Sequence, residues 1–224
     1  MEKNKKTPKS PTFYLILFGA IAFALVILDL VTKWVAHNIL VNQPDWTVTV
    51  IPNFFYFSLS YNTKAAFSIG LEGAFGRVLG ISVSLVMSAA IIAYMIVGRK
   101  KQTPFFQFML ALLAAGAVGN LIDRAFYFKA IAGFDGVIDF IQFYLGGGPS
   151  KGQNAGIPFN PFPTFNLADS YLVIGIVLFI IFMIVDSIKE AKEKAKQEES
   201  PILYENPLEK GTTNTEESKN DENN

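Results

Sequence analysis

Hydrophobic positions gather in four long runs, Phe13 to Val35, Val78 to Val97, Pro104 to Ile122 and Leu167 to Val185, with few charges inside them. Each is close to the ~20 residues that cross ~30 Å of hydrocarbon at a rise of 1.5 Å per residue. The pattern predicts an all-α membrane protein of four transmembrane helices. Between the first two runs the periodicity changes. Trp46-Thr-Val-Thr-Val-Ile51 alternates polar with apolar β-branched residues, Pro52-Asn53 reads as a turn, and Phe54-Phe-Tyr-Phe-Ser-Leu-Ser-Tyr61 follows. This predicts a short strand pair, a small β element whose aromatics sit at headgroup level.

Cations set the expected orientation, because short cytoplasmic flanks collect lysine and arginine. Lys3, Lys5, Lys6 and Lys9, the cluster Arg99-Lys100-Lys101, and Lys189, Lys192, Lys194 and Lys196 fall on one side of a four-span topology. Both termini are therefore expected in the cytoplasm, with outer loops at about 37–76 and 125–164. The first run continues well past the small residues Ala20, Ala22 and Ala24, too long for a cleavable signal, and is expected to stay as a helix. Residues 1–11 form a cytoplasmic segment, 12–188 the membrane domain, and 189–224 a charged, polar tail with too little apolar content to fold alone. The stretch 145–163, rich in glycine and proline, is expected as an exposed outer loop.

Composition narrows the chemistry. Half of the 224 residues are apolar (51%), including 21 phenylalanines, which is too apolar for an ordinary soluble domain. Net charge is zero and no basic stripe interleaves with aromatics, so nucleic acid is not an expected partner. Cysteine is absent and there is one histidine, His37, which excludes disulfides, thiolate metal sites, cysteine nucleophiles and a histidine-based metal centre; no cofactor is expected.

Charged groups inside or at the edge of membrane helices are costly and mark function, so their depth is informative. Asp29 and Lys33 fall at the outer end of the first helix, and Asn120, Asp123 and Arg124 at the outer end of the third. Asp139 lies in the outer segment that follows, and Asn166 and Asp169 open the fourth helix. All share one level, which predicts a binding or catalytic site at the outer surface. A small proton-coupled transporter is the alternative, but it would need polar residues at mid-depth or on both sides. Each residue also has a plain structural role open to it. Asp29 and Lys33 form a favourable i, i+4 pair, and Asn166 can cap a helix whose first turn Asp169 complements. As reagents, only aspartates helped by Asn, Arg and Lys are at hand. Two carboxyl groups sharing one proton can activate water and protonate a carbonyl oxygen, which is aspartic proteolysis. Physical reasoning leaves open which two of Asp29, Asp123, Asp139 and Asp169 form that pair.

The motifs Asp29-Leu-Val-Thr-Lys33, Asn62-Thr-Lys-Ala-Ala-Phe67, Gly119-Asn-Leu-Ile-Asp-Arg124, Val137-Ile-Asp-Phe-Ile141 and Phe165-Asn-Leu-Ala-Asp-Ser170 appear in this order. Over residues 12–188 the chain resembles the bacterial lipoprotein signal peptidases, or signal peptidase II. The resemblance implies an aspartyl endopeptidase of the bacterial inner membrane with its active site near the periplasmic face. It implies prolipoprotein substrates cut before a diacylglyceryl-modified cysteine, contact with membrane lipids, and inhibition by globomycin-type cyclic peptides. Carried over by motif, Asp139 and Asp169 would be the catalytic pair, supported by Asp29, Lys33, Asn62, Asn120, Asp123, Arg124 and Asn166. The chain departs from the family pattern at Leu30, where glutamine is usual, at Lys64, where glycine is usual, and in the longer Gly/Pro-rich loop between the two aspartates.

Overall fold

Ser10 and Pro11 open the first helix as an apolar sequence entering a membrane would require. The Ser10 side chain accepts a hydrogen bond from the Phe13 N–H, and Pro11 occupies the first helical position, where no donor is lost. The computed structural model describes residues 10–62, 73–126, 136–146 and 160–198. Within them the chain forms α1 (Pro11–Leu40), β1 (Thr47–Ile51), β2 (Phe55–Asn62), α2 (Gly73–Gly98), α3 (Pro104–Phe126), β3 (Val137–Phe143) and α4 (Leu167–Glu198). Among the described residues four helices are long and apolar enough to cross a membrane, matching the four hydrophobic runs. Lys64, much of the Gly/Pro-rich loop and most of the tail lie outside the described residues.

The helices are longer than the apolar runs. α1 continues to Leu40, so the first residues of the expected loop 37–76 are helical, and the charged segment after Val185 extends α4 to Glu198. Hydropathy marks the part of a helix that meets hydrocarbon, not where the backbone hydrogen bonds stop. Large apolar side chains on α1 and α4, such as Ile16, Phe23, Val173 and Ile176, are exposed, as suits faces turned to lipid.

α3 is the most buried of the four helices. Its small residues Ala111, Ala114, Ala115, Gly116 and Gly119 let neighbouring backbones come close, which is how helices associate when lipid is as apolar as their side chains. α3 packs against α1 and α2. α4 crosses it at Gly116 and Gly119, where an added Cβ would strike the Ala168 carbonyl and the Ala168 Cβ respectively. Aromatic contacts of Phe105 and Phe106 with Phe179 and Phe182 close the other end of this pairing.

The β element is a three-stranded antiparallel sheet, β1-β2-β3, rather than the expected pair. The turn at Pro52-Asn53 is where the sequence puts it, with Asn53 in the left-handed region at φ 63. The third strand pairs Ile141 with Phe57 and, beyond a register shift between Phe57 and Ser60, Asp139 with Ser60 and Val137 with Asn62. Val137-Ile-Asp-Phe-Ile141 lacks a polar-apolar alternation, and its partner lies about seventy-five positions away in sequence, so local pattern does not announce it. Leu40, Leu59, Ile138 and Phe140 form the core between the end of α1 and the sheet. β3 also bonds to the chain just before α4: the Phe165 carbonyl accepts from the Phe140 and Ile141 N–H groups at 3.1 and 2.9 Å, and the Phe165 N–H donates to the Ile141 carbonyl at 3.1 Å.

This packing predicts unequal tolerance of glycine replacement. A Cβ at Gly119 would lie 2.6 Å from Asp29 Oδ2, whereas Gly19 has open space. Gly119→Ala is expected to lower stability by about 1–3 kcal/mol, the usual range for overpacking a tight site, and Gly19→Ala to leave it unchanged or raised. Thermal unfolding in detergent micelles, followed by circular dichroism, compares the two; equal melting temperatures would refute the close approach.

Candidate active site

Nine residues singled out in the sequence arrive from five elements at one end of the helices: Asp29 and Lys33 from α1, Asn62 from β2, Asn120, Asp123 and Arg124 from α3, Asp139 from β3, and Asn166 and Asp169 from the start of α4. Their hydrogen bonds explain the convergence.

Asn166 is the N-cap of α4 and Asp169 stands three residues on. The Asp169 N–H donates to Asn166 Oδ1 at 2.9 Å and the Asn166 N–H donates to Asp169 Oδ2 at 3.2 Å, a reciprocal capping box with an acid at its third position. Another first-turn donor of this helix end, the buried Ala168 N–H, is satisfied from another helix: it donates to Asp29 Oδ1 at 2.9 Å. α1 therefore takes part in starting α4, and the side chains of Asn166 and Asp169 are fixed by the same bonds that begin the helix.

Asn166 also reaches the sheet. Its Nδ2 donates to Asp139 Oδ1 at 2.7 Å and lies 3.2 Å from both the Ile138 carbonyl and Asn120 Oδ1. Asn62 Nδ2 donates to Asp139 Oδ2 at 3.1 Å, and Asn120 Nδ2 donates to Asp169 Oδ1 at 2.8 Å. Asp139 and Asp169 are thus joined through one asparagine. All four of their carboxyl oxygens receive an amide donor. Asp139 is buried, while Asp169 keeps partial exposure. Burial pushes the Asp139 carboxyl up to about 7, and the neighbouring Asp169 charge pushes the same way against the Asn62 and Asn166 donors.

Below this pair Lys33 Nζ lies 2.7 Å from Asp29 Oδ2 and 2.8 Å from Asp123 Oδ2, with all three side chains fully inaccessible. The i, i+4 pair Asp29 and Lys33 is therefore not a surface pair closing a helix end but two thirds of a buried triad. Lys33 Nζ also donates to Asn120 Oδ1 at 3.2 Å, and Asp123 Oδ2 accepts weakly from the Ile138 N–H at 3.4 Å, which ties the triad to β3. Arg124 turns elsewhere: its Nη1 donates to Ser84 Oγ on α2 at 2.9 Å. Ser84 was not singled out in the sequence. Ser84 and Ser88 share one face of an otherwise apolar helix at i, i+4 spacing, and that was the available signal. Among the described residues no group of His, Asp or Glu has the arrangement to hold a metal ion.

Residues 21–185 match the family described as Signal peptidase (SPase) II. The lipoprotein signal peptidase of Listeria welshimeri is 34% identical over 170 residues, covering 75% of this chain and 94% of that protein. Those of a Janthinobacterium species and of Bacillus pumilus are 34% and 33% identical, each covering 80% of this chain and 94% and 98% of their own. A bacterial membrane enzyme solved by the in meso method at 2.3 Å resolution superposes with a TM-score of 0.56 at 31% identity, covering 77% of this chain and 88% of that one. The transporter reading finds no support in these relatives.

The triad makes a prediction of its own. Replacing Lys33 by Met leaves two carboxyl groups buried without their cation, a loss that costs about 3–5 kcal/mol in comparable sites. The neutral set Asp29→Asn/Lys33→Met/Asp123→Asn removes the charges together and is expected to recover most of that loss. Urea or thermal melts of the two proteins in micelles decide; equal destabilisation would show that charge compensation is not what Lys33 supplies.

Proposed function

Because the chain belongs to the signal peptidase II family, we propose that it is a membrane aspartyl endopeptidase that removes signal peptides from prolipoproteins, with Asp139 and Asp169 as its catalytic pair. The observation that carries this reading is the pair itself: two carboxyl groups from β3 and the first turn of α4, linked through Asn166, one buried and one partly exposed. Such a pair can hold one proton between its members, so that one side takes a proton from water while the other gives one to the scissile carbonyl oxygen. Asn62, Asn120 and Asn166 orient the pair, Asp29, Lys33 and Asp123 hold the elements that carry it, and Arg124 ties α3 to α2.

The chain is a multi-pass protein of a bacterial membrane. In the proposed setting that membrane is the inner one, both termini are cytoplasmic and the pair stands near the periplasmic face. A cysteine carrying a diacylglyceryl group would keep the scissile bond at this level, with its acyl chains among the membrane lipids beside the helices. Globomycin-type cyclic peptides would compete for the same place.

Asp139→Asn and Asp169→Asn are each expected to lower cleavage of a lipidated prolipoprotein by on the order of 10³-fold or more, with the protein still folded. Wild-type cleavage by either variant would sink the assignment of the pair. Loss of globomycin sensitivity with full activity in the parent protein would count against the family's inhibitor extending to it.

A pH dependence follows from Asp139. Its pKa in the folded protein stands above the ordinary carboxylate value, so its contribution to stability is complete below the ordinary carboxylate range and is lost as pH rises through about 7. The same proton is the one the reaction needs. Cleavage rate is therefore expected to fall as pH rises through that value, and a rate that stays flat from about pH 6 to about 8.5 would contradict it.

A further inference from the structure

The buried triad of Asp29, Lys33 and Asp123 touches neither carboxyl of the pair directly, yet Lys33 is one hydrogen bond from the amide that serves Asp169. An ammonium carries three donors and no acceptor. Lys33 Nζ has three oxygens in reach, Asp29 Oδ2 at 2.7 Å, Asp123 Oδ2 at 2.8 Å and Asn120 Oδ1 at 3.2 Å, and all three donors are used. If the Asn120 amide turned over, its NH2 would face the ammonium in a site closed to water, and the Lys33 donor would lose its acceptor. That arrangement costs the desolvation of both groups. Asn166 cannot fix Asn120 in its place, because its Nδ2 has two hydrogens for three oxygens and the shortest contact, 2.7 Å, goes to Asp139.

With Asn120 Oδ1 held by Lys33, its Nδ2 must face Asp169 Oδ1, at 2.8 Å. The other oxygen of Asp169 accepts from the Asn166 backbone N–H, a donor that cannot reverse. Asp139 differs. Among the described residues, both donors to its carboxyl oxygens are side-chain amides, those of Asn62 at the end of β2 and of Asn166.

We propose that Lys33 is a positioning residue for the reaction: its ammonium sets the direction of the Asn120 amide, which makes Asp169 the proton acceptor of the pair and leaves the shared proton on Asp139. This rests on the assignment of Asp139 and Asp169 as the catalytic pair. Among the described residues, the charged and titratable groups near Asp169 include Asp29 and Lys33 from α1, Asp123 and Arg124 from α3, Asp139 from β3 and Tyr171 from α4 itself; the Arg124 guanidinium interacts with the charges of Asp169, Asp123 and Asp139, and Tyr171 with that of Asp29. In the first step Asp169 takes a proton from water, the water oxygen bonds to the scissile carbonyl carbon, and Asp139 gives its proton to the carbonyl oxygen. In the second, one hydroxyl of the tetrahedral intermediate returns a proton to Asp139 as the C–N bond breaks. The leaving nitrogen takes the proton from Asp169, and the pair ends as it began.

The test separates direction from stability. In Asp29→Asn/Lys33→Met/Asp123→Asn the cation is gone without leaving an unpaired buried charge, so Asn120 is free to turn. In Asn120→Asp, Lys33 keeps an acceptor while Asp169 loses its donor. Both proteins are expected to show kcat per folded enzyme reduced by on the order of tenfold or more and KM within about threefold of the parent. The pH–rate profile of Asn120→Asp is expected to move up, since a carboxylate beside the pair favours its protonated forms. A triad or Asn120→Asp variant that melts lower but keeps the parent kcat and pH profile per folded enzyme would overturn the proposal. Should the triad variant not fold, Asn120→Asp decides alone. If Asp139→Asn or Asp169→Asn is active, the pair is wrong. If both are inactive while the Lys33 and Asn120 variants keep the parent profile, the pair stands and only the role of Lys33 falls.

Discussion

The ammonium of Lys33, shut away from solvent between the carboxyl groups of Asp29 and Asp123, is the constraint on which the rest of this site depends. Taking such groups out of water costs several kcal/mol per ion, and their mutual attraction offsets it only where geometry is good and the remaining polar atoms find partners. Two backbone groups of other elements contribute here: Asp29 Oδ1 accepts the Ala168 N–H at the start of α4, and Asp123 Oδ2, which also meets Lys33, accepts the Ile138 N–H in β3, while Asp123 Oδ1 is buried without a hydrogen-bond partner among the described residues. The same charges that need compensation therefore attach the two elements bearing Asp139 and Asp169 to the helices α1 and α3. Gly119 makes the arrangement possible, because any side chain there would meet Asp29 Oδ2.

One set of bonds serves both folding and chemistry at the start of α4. A helix leaves its first N–H groups without partners, and here Asn166, Asp169 and Asp29 supply the acceptors. Asn166 has capacity left over on its Nδ2, and spends it on Asp139. A capping role and a catalytic role are consequently not alternatives for Asn166 and Asp169. The bonds that begin the helix also hold the carboxyl of Asp169 in place, and the Phe165 bonds to β3 set the distance to Asp139.

The four membrane helices and the first two strands were legible because each rests on local pattern: long apolar runs for the former, β-branched alternation and a Pro-Asn turn for the latter. The site residues were legible as types and as a common level, since polar groups stand out in an apolar sequence. Three things were not. β3 is defined by pairing with a strand far away in the chain, and its run of four apolar residues around one acid gives no period. The burial of the Asp29 and Lys33 pair depends on α3 closing over it, so an i, i+4 spacing on α1 reads the same whether water or Asp123 is beside it. Ser84 became visible only once Arg124 was seen to reach α2.

The alternation of β3 explains how a carboxyl can stand in a largely apolar surround without disrupting it. Ile138 and Phe140 point to the side where Leu40 and Leu59 pack, and Phe140 lines an apolar groove of about 310 Å³ with Val31, Val35 and Ile39 of α1. Asp139, between them in sequence, lies on the opposite face, among Asn62 and Asn166. The strand's period of two turns Asp139 away from its neighbours Ile138 and Phe140, although Val137 and Ile141 on its own face are apolar. It thereby lets one short element hold the end of α1 through Ile138 and Phe140 and bring a single acid, Asp139, to Asn166.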